Sequence, residues 1–392
     1  MSLPKPPSGH FAILYFAAAT SYTRKPHDFL PAPLPVDQLY HELDKRYPGI
    51  KEKVLSSALL TVNLDYVDVE EEAGKGDKIM IIQAGDEVAI IPPHYRGHEI
   101  LTMASPKPQT ITYKTVGKLE IPFDLYLPDD AKNVPVLLWF HGGGLLQGVR
   151  RSVTPHMLQA VSKYNIALIS ADYRLAPQVG VAEIFEDVKD CVAFIRSRLD
   201  KFAGEGVVDT TRLAVSGSSA GGYLAFLAGL YIEPKPKVIL PIYPITDPLG
   251  TFFTTSQPHP FGGGRTDPEP LAEFLDPNAE VVANSAEDSK RNQLYFVMMQ
   301  EANLASLLRI KPGDDTFRIA KKVYERKLPP TYVVHGDADG AVGVEQADEV
   351  VGVMVGLGME VQYERLHGID HLFDRDAKYQ LEGMYEFMMK HL

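Results

Sequence analysis

Residues 212–230 read RLAVSGSSAGGYLAFLAGL, and the residue types in that stretch change from strand to tight turn to helix. Leu213, Ala214 and Val215 supply a short apolar run, and Tyr223 to Leu230 continues with helical composition. Between them Gly217, Ser219 and Gly221 spell G-x-S-x-G. A serine at the tip of such a turn sits on strained backbone above the carboxyl end of a sheet. Glycine two residues to either side leaves room for the crowded main chain. The motif by itself also fits an ordinary glycine-rich junction between strand and helix, so its surroundings decide its meaning.

Upstream, Val136–Phe140 is a buried-strand pattern that runs into His141-Gly142-Gly143-Gly144. Residues without side chains let two backbone N–H groups point at one oxygen, which a tetrahedral oxyanion requires. Downstream, Tyr332–His335 runs into Gly336-Asp337-Ala338-Asp339, and Val361–Leu366 runs into His367-Gly368-Ile369-Asp370-His371. Serine, acid and histidine therefore follow in that order, each just past the carboxyl end of a strand.

From about Ile111 to the C-terminus the chain resembles the α/β-hydrolase family, in its hormone-sensitive-lipase-like branch of esterases and lipases. The motifs that carry this are HGGG at His141–Gly144, DYRLAP at Asp172–Pro177, GSSAG at Gly217–Gly221, HGDAD at His335–Asp339 and GIDHLF at Gly368–Phe373. The resemblance implies Ser219 as nucleophile, His371 as base and Asp339 as the acid that orients it, with Asp337 and His367 as neighbouring polar loop residues. It also implies an oxyanion hole made by the backbone N–H groups of Gly142, Gly143 and Ala220. The expected activity is that of a serine carboxylesterase, lipase-like, acting on small carboxylic esters through an acyl-enzyme. No metal and no organic cofactor is expected, since neither a metal-ligand cluster nor a dinucleotide-binding glycine pattern is present in the sequence.

The chain's totals fit this picture. At 392 residues two domains are expected, and a hydrophobic content of 45% suffices for proper cores. A net charge of −12 argues against nucleic acid or an anionic membrane surface as the main partner, because either demands clustered Lys and Arg. The single cysteine, Cys191, rules out an intrachain disulfide. It falls in the amphipathic run Ala182–Leu199 and reads as a buried structural thiol. Past the N-terminal region no run of 18 apolar residues occurs, so no membrane span and a cytoplasmic location are expected.

The first ninety residues follow a different pattern. Residues 1–10 are rich in Pro, Ser and Gly and are expected to be disordered. Phe11–Ala19, FAILYFAAA, reads as a first strand, with the apolar core of a secretory leader as the competing reading. After a proline-rich loop, Val36, Leu39, Tyr40 and Leu43 fall on one helix face, which Pro48-Gly49 stops. Leu59–Val67 then reads as a strand, and Glu87–Ile91 as another before Pro92-Pro93. A sheet covered by one helix in this length is a β-grasp, ubiquitin-like arrangement.

Here a second resemblance enters, carried by RYPG at Arg46–Gly49, VNLDYVD at Val62–Asp68 and GDEVAIIPP at Gly85–Pro93. Residues 9–93 resemble the small, sulfur-carrying subunit of molybdopterin synthase. That implies a sulfur-carrier or protein-docking role in molybdenum cofactor biosynthesis, with a large-subunit-like partner. The chain departs from that family's free Gly-Gly C-terminus, because His94-Tyr95-Arg96-Gly97-His98 follows Pro93. An inert docking domain is therefore expected, in a genuine fusion or in two merged reading frames.

The division expected is 1–93 for the β-grasp domain, 94–108 for a linker, and 109–392 for the hydrolase. Within the last, Thr110–Val116 and Leu119–Leu127 alternate as a hairpin, after which strand and helix patterns take turns. That alternation means a mostly parallel sheet with helices on both faces. The stretch from Val238–Ile242 to the strand near Thr331 is too long for a loop. It reads as a cap at about 245–328 over the active site, aromatic and glycine-rich at Phe252, Phe253 and Phe261–Gly264, then helical over Gln293–Ile310.

Overall fold

The computed structural model describes all residues other than 1–5, 16–17, 26, 56–57, 64, 68, 70–71, 73–78, 92–106, 261–263 and 287. The chain forms two compact units, Met1–Leu101 and Thr102–Leu392. The expected linker 94–108 lies outside the described residues except for Lys107 and Pro108, as does Phe261–Gly263 of the expected cap.

The smaller unit contains β1 (His10–Tyr15), β2 (His27–Pro31), β3 (Leu34–Pro35), β4 (Leu59–Val62), β5 (Asp65–Val67), β6 (Ile81–Ile82) and β7 (Glu87–Ile91). Five of them form one sheet in the order β2-β1-β7-β4-β5, while β3 and β6 pair separately. β1 and β7 run parallel, and the other neighbours in the large sheet are antiparallel. The helix Leu39–Arg46 turns Leu39 and Leu43 onto the sheet, where they join Phe11, Ile13, Leu60, Val88 and Ile90 in one core. This is a β-grasp fold.

Three details differ from the sequence expectation. Leu59–Val67 is two strands, because the chain reverses at Asn63 with φ 51°. Asparagine tolerates that left-handed backbone, and its side chain fixes the turn by accepting from the Glu87 N–H and donating to Asp86 Oδ1, each at 2.9 Å. The proline-rich stretch taken as loop holds β2, which pairs with β1 through Phe11 opposite Leu30. Residues 1–5 of the stretch expected to be disordered lie outside the described residues, and His10, its last residue, pairs with Pro31 in the sheet. Of the run Phe11–Ala19, Phe11–Tyr15 belongs to β1, with Phe11 and Ile13 fully buried, residues 16–17 lie outside the described residues, and Ala18 and Ala19 open the helix Ala18–Thr23.

The larger unit contains β8 (Gln109–Val116), β9 (Leu119–Tyr126), β10 (Val134–Phe140), β11 (Ala167–Ala171), β12 (Val208–Ser218), β13 (Val238–Ile242), β14 (Thr331–Gly336) and β15 (Val361–Leu366). They form one eight-stranded sheet in the order β15-β14-β13-β12-β10-β11-β9-β8. The hairpin β8–β9 is antiparallel and β9 meets β11 antiparallel, while the remaining pairs are parallel.

Every residue of β10 and β11 is buried, as expected for parallel strands covered on both faces. Alternate residues of β10 mark the two faces. Val136, Leu138 and Phe140 pack with the helices Val181–Arg198 and Ala220–Tyr231. Leu137 and Trp139 pack with the helices Pro155–Lys163 and Glu382–His391. Cys191 is fully buried within the first of these layers. The arrangement is an α/β-hydrolase fold.

Residues 243–330 separate β13 from β14, and the described residues among them hold only short helices. The helix expected over Gln293–Ile310 is broken into a 3-10 turn Lys290–Gln293 and the helices Leu294–Glu301 and Leu304–Leu307. The break falls at Ala302, whose backbone is left-handed at φ 52°.

Candidate active site

β12 ends at Ser218 and the next helix begins at Ala220, so Ser219 alone makes the turn, with φ 57° and ψ −117°. Backbone in that region costs a non-glycine residue on the order of 1–3 kcal/mol. Hydrogen bonds hold it there. The Ser219 N–H donates to the Ile242 carbonyl at 2.8 Å, and its own carbonyl accepts from the N–H groups of Tyr223 and Ile245 at 3.2 and 3.3 Å.

The flanking glycines are required by close approach of main chain to main chain. A Cβ on Gly217 would lie 2.1 Å from the Gly221 carbonyl, and one on Gly221 would lie 1.9 Å from the carbonyl oxygen of Phe140. Neither neighbour is a flexible side chain that moves cheaply. Gly221→Ala is therefore expected to destabilise the larger unit by about 3 kcal/mol or more. Urea unfolding read by Trp139 fluorescence checks this, and an unchanged midpoint would contradict the packing.

Asp339 follows β14 and His371 follows β15. The structure brings them together, with His371 Nδ1 2.6 Å from Asp339 Oδ2. Asp339 Oδ1 accepts from the N–H groups of Ala341 and Val342, each at 2.8 Å. A carboxylate can only accept here, so Nδ1 of His371 is the donor and carries a proton. His335 adds a donor from behind, its Nε2 lying 3.2 Å from Asp339 Oδ2 and 2.9 Å from the Val342 carbonyl.

Burial pushes the Asp339 pKa up, but the opposing charge of His371 and the hydrogen bonds from His335 and His371 outweigh it. The carboxyl is held well below the ordinary range. A depressed folded-state pKa gives stability that is present above the unfolded value of about 3.9 and lost as pH falls through the folded one. The stability gap between the native chain and Asp339→Asn is thus expected to stay constant from pH 7 to about 4.5 and then to shrink. Thermal unfolding across that range tests it, and a gap that widens in acid would contradict the sign.

Asp337 and His367 meet each other instead, at 3.1 Å, and Asp337 also accepts from the Gly368 N–H at 2.6 Å. The His367 side chain is 97% exposed.

Ser219 and His371 both line a cavity of about 680 Å³. Gly142 and Gly143 form part of the same wall, and the ideal Cβ position on Gly142 is 3.2 Å from Ser219 Cβ. Gly143 turns the loop at φ 110°, where a side chain would strike the Gln147 carbonyl at 2.2 Å. Among the hydrogen bonds of the described residues, none uses the N–H of Gly142, Gly143 or Ala220. All three expected donors are thus unspent.

The DYRLAP segment explains why this loop keeps its shape. Tyr173 stacks on the His141 ring at 4.3 Å and donates to the His141 carbonyl at 2.8 Å. Asp172 accepts from both the backbone and the guanidinium of Arg150, each at 2.7 Å, and from Asn284 at 2.8 Å.

Ser285, Asn292, Tyr295 and Phe296 of the insertion line the cavity too. Tyr295 donates to the Ala341 carbonyl at 2.6 Å, which ties the insertion to the loop bearing Asp339. Sequence reasoning did not find Tyr243, whose ring packs on the His371 imidazole at 4.4 Å. It also missed His335 as a partner of Asp339, although the residue stands inside the HGDAD motif. Trp139 is a further lining residue, and its indole N–H donates to Ser218 Oγ at 3.2 Å. Among the described residues no set of three His, Cys, Asp or Glu side chains is placed to hold a metal ion, and no helix is long and apolar enough to cross a membrane.

Comparison with known proteins accounts for both units. The sequence model of the ThiS family matches residues 13–95, and that of BD-FAE, a hormone-sensitive-lipase-like family, matches residues 123–254. A molybdopterin synthase sulfur carrier subunit from Phaeosphaeria nodorum is 53% identical over 93 residues, covering 24% of this chain and 96% of that protein. The chain belongs to the ThiS family through its N-terminal unit, and its larger unit matches the BD-FAE model over residues 123–254.

For the BD-FAE unit, carboxyl esterase 2 from Tuber melanosporum shares the fold, with a TM-score of 0.53 and 22% identity over 74% of this chain and 90% of that one. A non-reducing polyketide synthase of Penicillium rubens is 26% identical over 399 residues, spanning 87% of this chain but 16% of the synthase.

Proposed function

We propose that the BD-FAE unit is a serine hydrolase of small carboxylic esters. What carries this reading is the meeting, on one cavity, of a strained Ser219, a histidine whose Nδ1 is committed to Asp339, and unspent backbone donors at Gly142 and Gly143, with the unspent Ala220 N–H next to Ser219 in the chain. In the reaction, His371 Nε2 takes the Ser219 hydroxyl proton as Oγ attacks the ester carbonyl. The imidazolium so formed faces the Asp339 carboxylate, which stabilises it without taking the proton. Charge developing on the carbonyl oxygen is met by the three N–H groups, one such donor being worth about 3 kcal/mol. The imidazolium then protonates the leaving alkoxide. Water, activated by the same histidine, attacks the acyl-enzyme and releases the acid. Residues of the insertion such as Tyr295 and Phe296 shape the pocket and limit water, as a cap does. Hydrolysis of p-nitrophenyl butyrate by the purified chain is the test, and absence of turnover above the spontaneous rate would overturn the reading.

A second reading belongs to the ThiS unit, favoured by its likeness to proteins named sulfur carrier subunits. We propose that it docks on a protein resembling the molybdopterin synthase large subunit but carries no sulfur. Adenylation and thiocarboxylation need a free terminal carboxylate, and here residues 94–98, HYRGH, continue the chain in place of a Gly-Gly end. Incubation with a matching adenylating enzyme, ATP and a sulfur donor is expected to leave the intact mass unchanged. A thiocarboxylate product would contradict this. A cytoplasmic setting suits both readings, the lone thiol of Cys191 being buried and pushed up in pKa by that burial.

A further inference from the structure

Among the described residues, the wall of the Ser219 cavity contains no aspartate, glutamate or lysine, although the chain as a whole carries a net charge of −12. The one permanently charged residue among those described in the wall is Arg375. Arg375 ends the 3-10 turn Phe373–Arg375, four residues beyond His371, and is exposed. Its acidic neighbours in the chain are engaged elsewhere. Asp374 is buried, accepts from the Tyr243 hydroxyl and lies 3.6 Å from His156 Nε2. Asp376 lies 3.0 Å from Lys378 Nζ. Among the described residues, the Arg375 guanidinium takes part in no ion pair and no hydrogen bond, unlike Arg150, Arg174, Arg212 and Arg318.

The helix Pro155–Lys163 packs against the same turn, and its first residues, Thr154 and Pro155, also line the cavity. Thr154 makes no side-chain cap, and its buried Oγ1 lacks a hydrogen-bond partner among the described residues. The positive end of a nine-residue helix therefore opens beside an uncommitted guanidinium.

We propose that this end of the cavity binds a carboxylate, so that the preferred substrate is an ester bearing a second, ionised carboxyl group. The inference rests on the hydrolase reading above and names its substrate class. A guanidinium presents its N–H donors in a planar fork that fits a carboxylate through two parallel hydrogen bonds. Among the described residues, no acidic side chain of the wall competes for it or repels the anion. The carboxylate sits on either the acyl or the alcohol arm, and the test separates the two.

The measurement compares kcat/KM for p-nitrophenyl hemiglutarate with that for p-nitrophenyl butyrate, and for 4-carboxyphenyl butyrate with that for phenyl butyrate corrected for leaving-group pKa. One of the two ratios is expected to favour the anionic ester roughly tenfold, the size of one charge-assisted hydrogen bond at a partly open site. That ratio is expected to fall to about one in Arg375→Gln, to survive in part in Arg375→Lys, and to decline with added KCl. No preference in either arm, or a preference that Arg375→Gln leaves intact, overturns the proposal. Should the chain hydrolyse neither ester, the hydrolase reading fails separately, and calorimetry still decides the site. Monomethyl glutarate is expected to bind the native chain and not Arg375→Gln, and equal or absent binding to both overturns it.

Discussion

Ser219→Ala is expected to lower kcat for a short p-nitrophenyl ester by roughly 10⁵- to 10⁶-fold while the thermal unfolding midpoint stays within a few degrees of the native one. The size follows from the division of labour at the site. Without the hydroxyl there is no acyl-enzyme, and what remains is attack by water on a carbonyl polarised by the oxyanion donors, a residual effect of about 10³–10⁴ over the uncatalysed rate. The fold is expected to survive because Ser219 holds its place through backbone hydrogen bonds to Ile242, Tyr223 and Ile245, none of which uses Oγ. Circular dichroism and steady-state kinetics on the same preparation check both halves. Turnover at the native level would remove Ser219 from the reaction.

The second large effect is a contrast between two histidine–aspartate pairs in the same two loops. His371→Ala is expected to cost about 10⁴-fold or more in kcat, and Asp339→Asn about 10⁴-fold, because an amide at 339 favours the tautomer with Nε2 protonated and so removes the base. His367→Ala and Asp337→Asn are expected to change kcat less than about threefold. Their pairing at 3.1 Å orders an exposed turn, and surface pairs of this kind contribute little. Kinetics of the four variants side by side decide the matter. The reverse ranking would show that the exposed pair is the functional one.

Much of this was legible in the sequence because the elbow is made of local rules. Gly217 and Gly221 are demanded by contacts within the turn and with β10, and Gly143 by its own φ, so the residue types report the geometry directly. The parallel sheet was legible for a related reason: strands buried on both faces, such as Val136–Phe140, are unbroken apolar runs. The two acid–histidine alternatives, by contrast, are alike in spacing and residue type. Family register pointed to Asp339 and His371, and His371 and Ser219 line the same cavity.

Other features depend on partners distant in sequence. Tyr243 reaches the site by sitting opposite β15's loop, and nothing in its neighbours announces that role. β2 was hidden because a proline-rich edge strand has weak strand composition, and only its pairing with β1 reveals it. The turn at Asn63 was hidden inside a run of strand formers, where a single left-handed residue divides one apparent strand into two. The broken helix after Gln293 failed for the opposite reason. Its composition is helical throughout, and the interruption at Ala302 has no glycine or proline to mark it.

The central claim is that Ser219 is a nucleophile activated by His371, and covalent trapping tests it most directly. The native chain is incubated with a fluorophosphonate, digested and mapped by mass spectrometry, with Ser219→Ala and His371→Ala alongside. One adduct per chain on the peptide containing Ser219 is expected, absent in Ser219→Ala and formed at least about 10³-fold more slowly in His371→Ala. An adduct at any other residue, or equal labelling rates in the native and His371→Ala proteins, would contradict it.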